Sequence, residues 1–431
     1  MPTQAFVPST NQDLAQAQLP RVGEWLWTCR VGAETDLCEE LASLRVSARA
    51  LEPGLVASTK RPNVELTFAR QGLPVMAVCP ATCEAIARAL RSKLDRPFAL
   101  HVFAADSDSG NRLAALATAL SQALTTHLQA QGARILPDGT AAHTEHGQIL
   151  QVCLLSPELA ACGGTAAATA PSLHPGGVLR MRRPRAAPSR SAQKLVEALA
   201  WLGHGPESSE LCVDLGAAPG GWSLVLADRK CQVLAVDPGA LAPVVARRVH
   251  HLRTNAFNFV PDESADWVFC DMAYRPLEVA ALLARWGRHR WARFLVANIK
   301  LPMKKRVEML GRVREILLTG GWTGLRIRQL YHDREEVTLF AWRGFGIDTR
   351  VPAAKSKSAA QPQTPRPKPS APAKRTVKRA EPTKRSAPPA KRSAPAKRST
   401  PAKRSGPTKR SSPAGKRSRP PARPQRRGAP R

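Results

Sequence analysis

Charged residues stand where short apolar runs end in the second half of the chain, a placement that can support chemistry. Asp214 lies in LCVDL, Asp237 ends QVLAVD and Asp271 follows DWVFC. Lys300 ends RFLVANIK, and Glu336 stands where YHDREEVTLFAW turns from charged to β-branched and apolar. Lys194, in SAQKLVEALAWL, sits on a helical pattern ahead of the first run, where it could cap the same edge. A single charge at a strand end is ordinarily a solvated terminus. Several on one edge of an open α/β sheet fall where ligands bind, outside the carboxyl ends of the strands.

The stretch VDLGAAPGGWS, residues 213–223, reads as a buried strand, a glycine turn and a helix starting near Trp222. Glycines let backbone approach a ligand closely, and a helix N-terminus offers unpaired N–H groups to an anion. Alone, this turn suits a plain strand-to-helix connection equally well. Asp237 follows Asp214 by 23 residues, the distance at which an acid meets a nucleoside ribose in Rossmann-like folds. No GxxxxGK[ST] pattern is present, which argues against a nucleoside triphosphate. A nucleoside with a small charged arm fits better, and S-adenosyl-L-methionine is such a molecule. The remaining charges suit activation of a ribose 2′-hydroxyl, a poor nucleophile until its proton is removed. A lysine can act as the base when desolvation and a neighbouring positive charge lower its pKa. Lys194 would supply that charge beside Lys300, with Asp271 and Glu336 holding the pair and in-line placement doing the rest.

These residues need elements to position them. From residue 189 onward, apolar strands alternate with helical patterns, predicting a doubly wound, mostly parallel, Rossmann-like sheet over 189–345. Before it, residues 21–78 read as a small α/β domain, with strands in EWLWTCRV and NVELTFARQ and a helix through TDLCEELASLRVSA. Residues 79–165 read as a second, with a helix in CEAIARALRSKL, strands in PFALHVFAAD and QILQVCLL, and an alanine-rich helix over 113–129. A Gly/Ala/Pro-rich link begins at Gly163 and leads into the basic RMRRPR, so 166–188 is expected to be a basic linker. Residues 1–20 are polar and expected to be disordered. So is 346–431, where Lys-Arg-Ser recurs six times among Pro, Ala and Ser.

Charge follows the same division. The formal charge is +32, but from residue 351 onward 25 Lys or Arg face the single acid Glu381, leaving only +8 for the first 350 residues. A basic, Pro-rich tail can lie along phosphates without reading bases. Nine cysteines show no zinc-ligand spacing, so buried thiols in a reducing compartment are expected, and no metal. Neither a secretory start nor an apolar run of the roughly 18 residues a membrane span needs is visible, predicting a soluble cytoplasmic protein.

With these motifs in place, VDLGAAPGGWS, the strand-end Asp271, NIKLPMKKR and LYHDREEVT resemble the RlmM family of bacterial 23S rRNA 2′-O-ribose methyltransferases, relatives of FtsJ-type enzymes with an added THUMP region. The resemblance is dense over 189–343 and thinner before it, where TFARQ carries most of it. It implies a Lys-Asp-Lys-Glu tetrad at Lys194, Asp271, Lys300 and Glu336, with Lys300 as proton acceptor. It places cofactor contacts at Ser191, Ala218, Pro219, Gly220, Gly221, Asp237 and Asp271. Asn255 stands where the family can carry an acid near the adenine. The implied enzyme is a monomer that methylates a cytidine of 23S rRNA before or early in subunit assembly, with 79–165 as a THUMP-like RNA-binding domain. The alternatives are an FtsJ-like enzyme for another rRNA or tRNA nucleotide, or an inactive RNA-binding protein. Within the charged junction, Glu336 is expected to face the site and Glu335 the opposite face, with His332 and Asp333 as loop and substrate-side residues rather than catalysts.

Overall fold

The computed structural model describes residues 19–182 and 187–343. The tail expected over 346–431, nearly all of the polar start and four residues of the basic linker lie outside the described residues.

The first sheet is antiparallel, in the order β2-β3-β1-β4. Its strands are β1 (Trp25–Cys29), β2 (Ala48–Glu52), β3 (Leu55–Ser58) and β4 (Ala69–Pro74). The helix read through TDLCEELASLRVSA covers only Glu34–Ser43. Arg45 takes a left-handed φ of 58°, which reverses the chain into the unpredicted β2–β3 hairpin. The second sheet has the order β5-β9-β8-β6-β7, from β5 (Ala77–Pro80), β6 (Phe98–Ala104), β7 (Ile135–Leu136), β8 (Gln148–Leu154) and β9 (Leu159–Ala166). Helices Cys83–Leu90 and Ala114–Ala130 pack on it through Ile86, Leu90, Leu120, Leu124 and Leu128. Gly163 and Gly164, read as the start of a link, lie inside β9 instead. A Cβ on Gly163 would stand 1.9 Å from the Pro74 carbonyl oxygen, so this glycine marks the close backbone approach of β9 to β4 of the first sheet.

The third sheet holds β10 (Leu211–Leu215), β11 (Gln232–Val236), β12 (His250–Leu252), β13 (Ala265–Cys270), β14 (Ala292–Lys300), β15 (Thr323–Arg328) and β16 (Glu336–Trp342). The order is β12-β11-β10-β13-β14-β16-β15, and only β16 runs antiparallel to its neighbours. The helices Ser191–Leu202 and Gly221–Asp228 cover one face, burying Leu195, Trp222 and Leu226 against Cys212, Trp267 and Phe269. Pro276–Arg288 and Arg306–Thr319 cover the other, burying Leu283, Trp286 and Val313 against Val213, Leu215 and Leu295. This is the doubly wound α/β arrangement the alternation predicts. From β10 the chain winds outward one way through β11 and β12, then returns to the other side at β13. That reversal opens a crevice between the carboxyl ends of β10 and β13, where open α/β sheets bind ligands.

The second of these cores does not stop at the sheet. Trp27, Leu37, Leu41 and Phe68 from the first domain join Leu310, Val313 and Leu317 in one apolar cluster. Polar contacts fasten the same boundary. The Gln329 N–H donates to the Thr67 carbonyl at 2.7 Å, and Arg326 pairs with Glu65 at 2.9 Å. The first domain is therefore built into the wall of the third sheet.

Candidate active site

Three glycines shape the turn after β10. Gly216 (φ 77°) has no room for a side chain, since a Cβ would lie 2.4 Å from Met272 Cγ. The turn thus touches the segment immediately after Asp271. Gly220 takes φ 106°, a conformation strained for other residues. A Cβ on Gly221 would meet both Ser189 Oγ and Ser191 Oγ at 2.3 Å, so the starts of two helices are pressed together. The intervening Ala218–Pro219 bond is cis. Asp214, buried below, accepts from Ser223 Oγ at 2.7 Å. Burial pushes its carboxyl up to about 7 against that hydrogen bond.

Asp237 braces this turn from the neighbouring strand. Its Oδ2 accepts from the Ala218 N–H at 3.1 Å and its Oδ1 from the Gly239 N–H at 2.7 Å. Ser191, Ala218, Pro219, Gly220, Gly221 and Asp237 are thereby gathered around one turn at the switch point. Asn255, beyond β12, uses its side-chain carbonyl to accept from the Phe257 N–H at 2.9 Å. It keeps a single lone pair on that oxygen for any ligand.

The two lysines and two acids converge beside the turn. Lys300 and Glu336 are direct partners in the β14–β16 ladder, which puts their side chains on one face. Glu336 is shared: Oε1 pairs with Lys194, and Oε2 lies 3.3 Å from Lys300 Nζ. Lys194 also reaches Asp271 Oδ1 at 3.5 Å. Burial works against the Lys194 charge, but Asp271 and then Glu336 overcome it and hold the amine above the usual lysine range. Burial likewise opposes the Glu336 charge, yet Lys194 and Lys300 hold its carboxyl below the usual range. Asp271 goes the other way, because its burial outweighs the attraction of both lysines. Its contact with Lys194 is an ion pair without hydrogen-bond alignment, so Asp271 Oδ1 remains a buried acceptor with no donor. Buried acceptors are rarely left so, and this one lies one residue before Met272, which packs against Gly216 of the turn. That orphan oxygen and the glycine cradle fit a nucleoside cofactor bearing a cationic arm.

Of the four, Glu336 is 5 % exposed and Lys300 33 %, so Lys300 presents its amine to the cleft while the carboxylate lies beneath. Glu335 points away and pairs with Arg30 and Arg306. Asp333 lies in the loop as expected, but not on the substrate side: it is 1 % exposed and turned inward. Its Oδ2 accepts from the Leu330 N–H and Thr338 Oγ1, both at 2.9 Å, closing the loop that leads to Glu336. Sequence reasoning missed Glu197, which fixes the same loop. It accepts from the Tyr331 and His332 N–H groups at 2.8 Å each and from His332 Nδ1 at 2.7 Å. Its only signal was an acid among the apolar residues of the helix's buried face. Among the described residues no group of His, Cys, Asp or Glu is placed to hold a metal ion. No helix there is long and apolar enough to cross a membrane.

A cradle at the switch point and a lysine–carboxylate cluster beside it define a Rossmann-like methyltransferase, and the profile of the FtsJ-like methyltransferase family matches residues 187–284. A curated relative, ribosomal RNA large subunit methyltransferase M of Alkalilimnicola ehrlichii, is 36 % identical over 351 residues, covering 74 % of this chain and 94 % of its own. The protein of the same name from Xanthomonas campestris is 36 % identical over 356 residues, 73 % of this chain and 98 % of its own. That of Halorhodospira halophila reaches 46 % over 176 residues, 39 % of this chain and 51 % of its own. The chain belongs to the ribosomal RNA large subunit methyltransferase M family. Among solved structures, magnesium protoporphyrin IX methyltransferase of Synechocystis with bound SAM aligns over 36 % of this chain and 80 % of its own, at 18 % identity and TM-score 0.29. That likeness is too remote to carry weight.

Proposed function

We propose that this protein uses S-adenosylmethionine to methylate the ribose 2′-hydroxyl of a cytidine in 23S rRNA, as a cytoplasmic monomer acting before or early in large-subunit assembly. The observation that carries the reading is the continuous chain of contacts Asp271–Lys194–Glu336–Lys300 beside the Gly216–Gly221 cradle. Ser191, the backbone of Ala218, Pro219, Gly220 and Gly221, and the carboxylates of Asp237 and Asp271 would hold the cofactor, with Asn255 at its far end. When bound, S-adenosylmethionine supplies an electrophilic methyl group.

The chain's residues supply the rest. Lys194, held charged by two carboxylates, fixes Asp271 and Glu336. Among the described residues Lys300 has Glu336 as its one ion-pair partner, a charge that Lys194 shares, and it lines the cleft. It is the lysine free to take the hydroxyl proton, with Glu336 setting its direction. Proximity then does most of the work, since the hydroxyl and methyl are held in line. The region before residue 189, with a THUMP-like domain over 79–165, would bind RNA and select the target.

Mapping ribose methylation across the rRNA of cells with and without the gene tests this. Loss of one 2′-O-methylated cytidine from the large-subunit rRNA supports the reading. Retention of every ribose methylation, or loss of a base methylation instead, refutes it.

A further inference from the structure

This inference rests on the reading of the chain as an RNA ribose methyltransferase. The cleft over the tetrad extends along a strongly cationic wall. Most of its charged groups have partners. Arg30 meets Glu335 at 3.3 Å, and Arg70 meets Asp106 at 3.0 Å while lying 5.3 Å over the Tyr331 ring. Lys194 and Lys300 belong to the tetrad. Arg180, Arg190 and Arg334 differ: all three line the cleft, all are exposed, and none has an acidic partner among the described residues.

Each is tied closely to a member of the tetrad. Arg190 sits at the start of the helix that carries Lys194, and Arg334 stands two residues before Glu336. Arg180 adjoins Met181, whose carbonyl accepts from Gln193 Nε2 at 3.0 Å, and Gln193 neighbours Lys194. Three cations without an acidic partner among the described residues therefore spring from backbone positions set around a recessed carboxylate. Acids elsewhere on the wall are already paired or buried, so the surplus has no counterion among the described residues.

We propose that Arg180, Arg190 and Arg334 form a phosphate track for single-stranded RNA, gripping the phosphates that flank the target nucleotide. A splayed nucleotide can drop its ribose toward Lys300 while its neighbours' phosphates stay at the rim. Such contacts fix register without reading sequence, and single strands expose backbone and 2′-hydroxyl together. Guanidinium groups suit the role, since their fork geometry matches phosphate.

The test is the binding of a labelled oligocytidylate RNA to the full-length protein at several salt concentrations. The double variant Arg180→Ala/Arg334→Ala should show a shallower dependence of log affinity on log salt, by about 1.4, at roughly 0.7 per phosphate on single strands. Relative to 1 M salt that is about 25-fold at 0.1 M. The variant Arg180→Lys/Arg334→Lys, which keeps the charges, should retain the wild-type slope. The C-terminal tail is the same in every protein, so its share cancels in the comparison. An alanine variant with the wild-type slope overturns the track, as does a lysine variant as weak as the alanine one. A wild-type protein that fails to methylate ribose is a separate result, which refutes the functional reading itself.

Discussion

Replacing Glu336 with Gln keeps the shape of the site and removes the charge that both lysines share. The amide can present its carbonyl to one lysine only, and its NH2 then faces the other, donor against donor. Lys194 is 13 % exposed and boxed in by Asp271, whereas Lys300 is 33 % exposed and borders the cleft. Lys300 is the one that swings away. At 3.3 Å the Lys300–Glu336 attraction is ~5 kcal/mol at an effective dielectric near 20. Exposed pairs deliver only about 0.2–1 kcal/mol, so a pair with one partner buried and the other a third exposed is worth ~2 kcal/mol. If that energy holds Lys300 on the hydroxyl, kcat falls about 30-fold. The assay is single-turnover transfer of a tritiated methyl group at saturating RNA and cofactor, with calorimetry for cofactor affinity. A kcat within threefold of wild type refutes the idea that Glu336 aims Lys300. A large loss in cofactor affinity with kcat retained refutes it as well, by giving Glu336 a different role.

Three further outcomes follow from the geometry. Gly221→Ala should drive the two helix starts apart, since its Cβ would lie 2.3 Å from two serine hydroxyls. Overpacking of about 1–3 kcal/mol would weaken cofactor binding ~10-fold by calorimetry, and unchanged affinity would contradict the cradle. Asp333→Asn reports on a buried acid that burial lifts to about 8. Because the folded-state pKa exceeds the unfolded value of about 3.9, the wild type loses stability relative to this variant as pH rises from ~4 to ~8, by up to ~1.4 kcal/mol per unit. Parallel melting-temperature curves for the two proteins between pH 5 and 8 would contradict this. A fragment starting at Ala187 strips Leu37, Leu41 and Phe68 from Leu310, Val313 and Leu317 and should lose the cooperative thermal transition, whereas a cooperative melt with full cofactor affinity would show that the shared core is dispensable.

The parallel sheet was readable because its strands are buried on both faces and end at charges. LCVDL, QVLAVD and RFLVANIK mark β10, β11 and β14 with little ambiguity. The tetrad was readable for the same reason, since Lys300 ends a strand, Glu336 begins one and Asp271 directly follows one. Features that depend on distant segments were not. Arg45 stops its helix with a left-handed φ of 58°, yet an arginine gives no stop signal, and the hairpin after it was hidden. Gly163 reads as linker because the Pro74 carbonyl that requires it lies 89 positions earlier. The inward turn of Asp333 depends on Thr338 and on Leu330 across a folded loop, and Glu197 acts on residues 134 and 135 positions away. Separate composition suggested separable N-terminal domains, whereas packing joins the first of them to the third sheet through a common core.

The claim on which the mechanism turns is that Lys300 acts on the hydroxyl and leaves the cofactor alone. Lys300→Ala, measured for cofactor affinity by calorimetry and for methyl transfer under single-turnover conditions, tests it directly. The predicted result is wild-type affinity with transfer reduced by about 10²-fold or more, the range in which general-base catalysis operates. Transfer within about tenfold of wild type, ~1.4 kcal/mol of barrier, would contradict the assignment of Lys300 as the base.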